Sequence, residues 1–194
     1  RITGVWFDNN FQPADQVVLA LPPHATAPLL EPHPELKALA SNLQQFAYEP
    51  ICTVYLQYPE SVRLPVPMLG MLGSVGQWAF DRQICGQPGL IAVVISSSGN
   101  HMDWPNSQLV NVISAELAKL FPSWPQPGSN QVIREKRATF ASLVNVNKNR
   151  PSNQTAIAGL WLAGDFTQTG YPATLEGAVR SGVQCTQQML EQMN

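Results

Sequence analysis

Asp165 closes a short apolar run, Ile157-Ala-Gly-Leu-Trp-Leu-Ala-Gly164, and a Gly- and Thr-rich turn follows it. Such a run, bounded by turn residues, reads as a buried strand. A carboxylate at the carboxyl end of a strand in an open α/β sheet faces the crevice where ligands bind, and there it can accept hydrogen bonds from sugar or sugar-alcohol hydroxyls. Asp in the same place can equally cap the turn by accepting backbone N–H groups. Spacing leaves both roles open. After Pro172 the pattern turns helical, so the helix N-terminus falls around Ala173–Glu176. Its first N–H groups have no helical acceptor, and they suit a phosphate or the negative charge of a reduced heteroaromatic ring. Thr174 is the candidate cap, and Glu176 reads as a partner of the helix dipole. Gly177 and Gly182 each cost about 1 kcal/mol relative to Ala inside a helix. Their presence points to close approach by another backbone or a ligand.

Other chemistries find little support. His24, His33 and His101 lack metal-ligand spacing, which argues against zinc or iron. Ser96-Ser97-Ser98-Gly99 is not a GxSxG elbow, and neither a GxxxxGK[ST] loop nor a GxGxxG fingerprint occurs. A net charge of −2 argues against nucleic-acid binding. Charged residues make up only 12 % of the chain, leaving an apolar middle that suits either a lipid tunnel or an ordinary core. Cys52, Cys85 and Cys185 lack CxxC spacing and read as reduced thiols of a cytosolic protein. No apolar run approaches the roughly 18 residues of a membrane span. The expected location is therefore cytoplasmic, with peripheral attachment to the inner membrane face left open.

The elements that position these residues follow from the pattern. Leu175, Ala178, Val179, Gly182, Val183, Thr186, Met189, Leu190 and Met193 form a stripe at helical period. Near the start, Asp8-Asn9-Asn10 supplies a turn and Gln16–Leu21 a buried strand, as a hairpin or two neighbouring strands. Prolines from Pro22 to Pro34 predict an irregular crossing segment, followed by a helix over 34–46. Strands are predicted at 50–58, 68–72, 77–81, 90–97 and 131–141, the last half-exposed around Arg134-Glu135-Lys136-Arg137. A helix carrying Leu109, Val112, Ile113 and Leu120 ends before Pro122. The fold class is α+β, with a mostly antiparallel sheet-plus-helices lobe (27–148) inserted into a lobe made from both chain ends (1–26 and 149–194).

The sequence Leu162-Ala-Gly-Asp165 followed by Pro172-Ala-Thr-Leu-Glu-Gly-Ala-Val-Arg-Ser-Gly182 resembles the C-terminal FAD motif of the flavin amine oxidase and phytoene desaturase superfamily. Tyr48-Glu-Pro-Ile51, Gln77-Trp-Ala-Phe-Asp81, Val94-Ile-Ser96 and Glu135-Lys-Arg-Ala-Thr-Phe140 narrow the resemblance. Together they are most similar to the squalene-associated FAD-dependent desaturases, or hydroxysqualene dehydroxylases, of bacterial hopanoid pathways. The resemblance covers this whole chain but about the C-terminal half of such an enzyme. It implies a discontinuous FAD lobe with an inserted substrate lobe. It further implies that Asp165 binds the ribityl part of FAD, with Gly164 beside it among the cofactor-binding residues, and that the backbone at Ala173, Thr174 and Leu175 meets the flavin pyrimidine edge. Tyr171 and Pro172 would face an isoprenoid substrate. The family's N-terminal GxGxxG unit is absent from this sequence, so the isolated chain is expected to hold FAD incompletely or not at all. The expected partners are that N-terminal half and, through exposed lobe surface, a second copy. Three activities stay open: dehydroxylation of hydroxysqualene, the chemistry of a phytoene-type desaturase or amine oxidase, or an inactive structural module.

Overall fold

The structure, a computed structural model, describes residues 1–193, with side chains through residue 192. In chain order the elements are β1 (Gly4–Phe7), β2 (Asn10–Pro13), β3 (Val17–Leu19), α1 (Pro23–Leu30), α2 (Lys37–Gln44), β4 (Tyr48–Gln57), β5 (Met68–Gly70), β6 (Trp78–Asp81), β7 (Leu90–Ser96), α3 (Asn106–Leu120), β8 (Ser129–Phe140), β9 (Leu160–Leu162) and α4 (Leu175–Met193). Contacts divide them into two units, Arg1–Ala47 with Thr139–Asn194, and Tyr48–Ala138.

The second unit is built on a sheet of order β5-β6-β7-β4-β8. The β5–β6, β6–β7 and β4–β7 pairs are antiparallel. Alternation along β4 sends Cys52, Val54 and Leu56 to one face, where α3 adds Leu109, Ile113 and Leu117. β7 is buried almost continuously through Ile91, Ala92, Val93 and Ile95, as its unbroken apolar run predicts. β8 stands at a sheet edge and is mostly exposed around its charged centre. Charges there discourage edge-to-edge pairing.

One polar tie in this unit has a measurable weight. The Glu116 carboxylate on α3 accepts the Val75 N–H at 2.6 Å and the Gly76 N–H at 3.0 Å. It thereby fastens the β5–β6 loop to the helix. Glu116→Ala should lower stability by about 2 kcal/mol, since two charge-assisted bonds are lost. The check is a lower urea midpoint at unchanged m-value.

In the first unit, β1 and β2 form a hairpin around Asp8 (φ 46°) and Asn9 (φ 62°). Positive φ at both central residues is the geometry that matches hairpin twist. The hairpin therefore ends before the apolar run, and β3 lies elsewhere: Val17, Val18 and Leu19 pair in parallel with Leu160, Trp161 and Leu162 of β9. Residues from both chain ends thus build one parallel pair. The irregular crossing expected over Pro22–Pro34 is corrected by α1. Pro23 sits at the first helical position, where a missing N–H costs nothing. Pro28 lies inside and removes one helical bond; burial of Thr26, Ala27 and Leu30, and a Thr26 hydroxyl donated to the Leu21 carbonyl at 3.0 Å, hold the helix regardless. A 3₁₀ turn over Pro34–Leu36 leads into α2.

The division by contact differs from the expected lobe limits at both ends, since α1 and α2 pack on each other and stay with the first unit. Phe46, just past α2, meets the Phe140 ring edge-on at 5.5 Å and the Phe166 ring at 6.3 Å. Those aromatic contacts hold 27–47 and 139–148 to the unit that also contains β9.

Helix α4 departs from its apolar stripe. The face that packs carries Gly177, Ser181 and Cys185, with Met189 beside them. Leu175 is 88 % exposed, and Val179, Val183 and Leu190 are more than half exposed. Met193, assigned to the same stripe, lies outside the described side chains. Cys52 and Cys185 are buried free thiols and Cys85 is an exposed one. Among the described residues, no helix is long and apolar enough to cross a membrane.

Candidate functional site

The site grows from the end of β9. Leu160, Trp161 and Leu162 are buried, and the Trp161 indole N–H donates to Gln16 Oε1 at 2.7 Å. Gly164 then turns the chain at φ 154°, where an added Cβ would stand 2.5 Å from the Phe166 ring. Only glycine lets Phe166 fold back into the core at this point.

A buried polar network fixes this turn to α4. Ser181, fully buried, accepts the Gly164 N–H at 3.0 Å and the Asn153 side-chain amide at 3.0 Å, and its hydroxyl lies 2.7 Å from the Thr167 hydroxyl. Asn153 also donates to the Leu162 carbonyl at 2.9 Å. Strand end, loop and helix are thus registered to one another by hydrogen bonds. That explains why α4 packs through its small polar face.

Asp165 follows, half-buried. Burial raises its pKa above the ordinary carboxylate value, while the Arg150 guanidinium and the backbone N–H groups of Phe166 and Asp165 oppose the rise. This local backbone influence comes only from its own residue and the next one. It leaves further acceptor capacity, because a carboxylate has about four lone-pair sites.

The loop from Asp165 to Tyr171 is wrapped on Arg150, which is 5 % exposed. Arg150 Nε donates to the Thr167 carbonyl (2.9 Å), Nη2 to the Asp165 carbonyl (2.9 Å) and the Thr169 hydroxyl (2.9 Å), and Nη1 to the Tyr171 carbonyl (2.7 Å) and Asn147 Oδ1 (3.3 Å). Its guanidinium carbon sits 5.3 Å from the centre of the Phe140 ring. Burial lowers the Arg150 pKa and Asp165 raises it.

The helix start completes the site. Thr174 Oγ1 accepts the Gly177 N–H at 3.0 Å and so caps α4. A Cβ on Gly177 would meet the Pro172 carbonyl at 3.1 Å and Tyr171 Cβ at 3.4 Å. Its absence lets the 171–174 turn close over the first helical turn. Gly182 has nothing within 4 Å of the corresponding position and opens onto an apolar groove with Val179 and Val183. Glu176 pairs with Arg180 at 2.7 Å, and that guanidinium lies 4.6 Å from the Tyr171 ring centre. The groove passing Tyr171, Glu176, Val179 and Arg180 measures about 450 Å³.

All the residues singled out in the sequence, Gly164, Asp165, Tyr171, Pro172, Ala173, Thr174 and Leu175, lie on this continuous segment of the first unit. Asp165 and Tyr171 come together on one guanidinium. Arg150, Asn153 and Thr167 escaped the sequence reading: the first two stand in a polar, Asn-rich stretch that looks solvated. Among the described residues, no group of three His, Cys, Asp or Glu side chains could hold a metal ion.

The fold built from these elements is shared with solved structures. Cyclohexylamine oxidase from Brevibacterium oxydans IH-35A matches 95 % of this chain and 44 % of its own, with TM-score 0.70 and 19 % identity. The sequence profile of flavin containing amine oxidoreductases matches residues 2–190, and the chain belongs to that family. Its relatives include hydroxysqualene dehydroxylase of Rhodopseudomonas palustris, 37 % identical over 88 % of this chain and 37 % of the relative. The enzyme of the same name from Sinorhizobium fredii is 32 % identical over 94 % of this chain and 40 % of the relative. The chain thus spans well under half the length of either.

The residues present fit the ring end of a flavin nucleotide. Asp165 offers a carboxylate to hydroxyls, and the first N–H groups of α4 offer donors to an electron-rich ring edge. Gly177 keeps the turn closed enough for the two to share one short segment.

Proposed function

We propose that this chain is the C-terminal part of a FAD-dependent oxidoreductase acting on a long isoprenoid, and that its reaction is the reductive dehydroxylation of hydroxysqualene to squalene. The observation that carries the reading is the relationship to hydroxysqualene dehydroxylases along 88 % and 94 % of the chain, joined to a site whose parts suit flavin. Bound flavin supplies hydride. The net change would replace the substrate's C–O bond with a C–H bond and release the hydroxyl, with a proton from solvent, as water.

The chain's own residues do the holding. Asp165 accepts hydrogen bonds from the ribityl hydroxyls, and the α4 N-terminus at Ala173, Thr174 and Leu175 stabilises negative charge on the reduced ring. Tyr171 and Pro172 face the substrate. The exposed apolar face of α4, led by Leu175, Val179 and Val183, is the surface for the N-terminal FAD-binding half; without it, self-association is expected.

The test uses the full-length protein loaded with FAD, a chemical reductant and hydroxysqualene. Squalene is the expected product. A flavin-loaded protein that leaves hydroxysqualene untouched but turns over phytoene or an amine would move the substrate to another branch of the family. Isolated chain 1–194 is expected to show no visible flavin absorption.

A further inference from the structure

The geometry points to Arg150 as the positioning residue that shapes the 165–171 loop and so sets Asp165 and Tyr171 toward the flavin, an inference that rests on the flavoprotein reading above. A guanidinium has five N–H donors in one rigid plane. In Arg150 five hydrogen bonds go to Asn147 and to four loop residues spaced two apart: Asp165, Thr167, Thr169 and Tyr171. The loop carries no regular secondary structure between β9 and α4. Its curvature follows the plane of the guanidinium, as a strap follows a post.

Three features make this more than a satisfied buried arginine. The acceptors at Asp165 and Tyr171 are main-chain carbonyls at the two ends of the loop, the residues expected at ribityl and substrate. Arg150 is placed by its own support, the face of Phe140, which Phe46 contacts in turn. The Tyr171 ring is engaged separately by Arg180, so Tyr171 is held at backbone and ring by different cations. Lysine has three donors around a point charge and cannot reproduce the planar fork.

The experiment compares wild type with Arg150→Lys in the full-length protein, reading FAD retention, the flavin visible spectrum and amide hydrogen exchange. Arg150→Lys should speed exchange across 165–171 while α3 exchanges as in wild type. It should also weaken FAD retention by about tenfold or more and alter the spectrum of the flavin that remains at saturating FAD. Loop exchange unchanged in Arg150→Lys overturns the inference. Faster loop exchange with wild-type FAD retention and spectrum also overturns it, leaving Arg150 a structural residue. Wild type that holds no FAD sinks the flavoprotein reading and this inference with it.

Discussion

Ser181→Val will destabilise the first unit by about 3 kcal/mol or more, the largest loss expected from a single side chain of this size. Ser181 is fully buried and serves three partners: the Gly164 N–H, the Asn153 amide and the Thr167 hydroxyl. Valine removes the oxygen and puts two γ-methyls in a fully buried place where serine has one γ-atom. Of the three partners, Asn153 keeps the Leu162 carbonyl and Thr167 keeps the Gly164 carbonyl. Gly164 N–H keeps no protein partner, and leaving a partly buried donor unpaired adds a cost toward the lower end of about 1–3 kcal/mol. Ser181→Ala, which adds no bulk, should lose about half as much. Urea unfolding followed by hydrogen exchange checks this: protection should fall at β9 and α4 and hold at β4 and β7. Uniform loss in both units, or wild-type stability, would refute the role given to the network.

This network also marks the limit of what the residues alone disclose. Strand β9, Asp165 and the start of α4 are legible because an apolar run, a turn and a helical period follow in sequence. α3 is legible for the same reason, with Pro122 to stop it. The packing face of α4 is not, because hydrophobic periodicity finds the stripe of greatest apolar area. That stripe includes Leu175, Val179 and Val183, which are exposed. The contacting face is small and polar, and its registration depends on a partner distant in sequence that periodicity cannot reveal: Asn153 lies 28 residues away from Ser181. Helix α1 was hidden by Pro28, which predicts a break; local bonding around Thr26 and burial of Leu30 override it. Arg150 was hidden for another reason. A single arginine in an Asn-rich loop reads as solvated, and only the closed loop shows that its donors are spoken for. The parallel pairing of β3 with β9 joins residues 17–19 to 160–162, a non-local match that the two-lobed pattern suggests but does not register.

Asp165 gives the second large effect, and it has opposite signs in two measurements. Asp165→Ala in the full-length protein should weaken FAD retention by about tenfold or more, because the hydroxyl-binding carboxylate is gone. Retention equal to wild type would remove the ribityl role. Stability should move the other way for the isosteric change. Burial is the principal cause of the raised Asp165 pKa, with Arg150 and backbone N–H groups opposing it. An acid whose folded pKa is raised favours folding in its protonated form. That contribution is fully present below the unfolded carboxylate pKa and is lost as pH rises through the folded value. At neutral pH the ionised side chain is therefore a cost, and Asp165→Asn should unfold at an equal or higher urea midpoint than wild type. The gain should shrink as pH falls below about 4, where the carboxyl is neutral in both states. A variant that gains stability without flavin while losing flavin is the behaviour of a carboxylate kept for its ligand. If Asp165→Asn instead lost stability at neutral pH and recovered it in acid, the carboxylate would be structural first, and the Arg150 guanidinium and neighbouring backbone N–H groups would outweigh its burial.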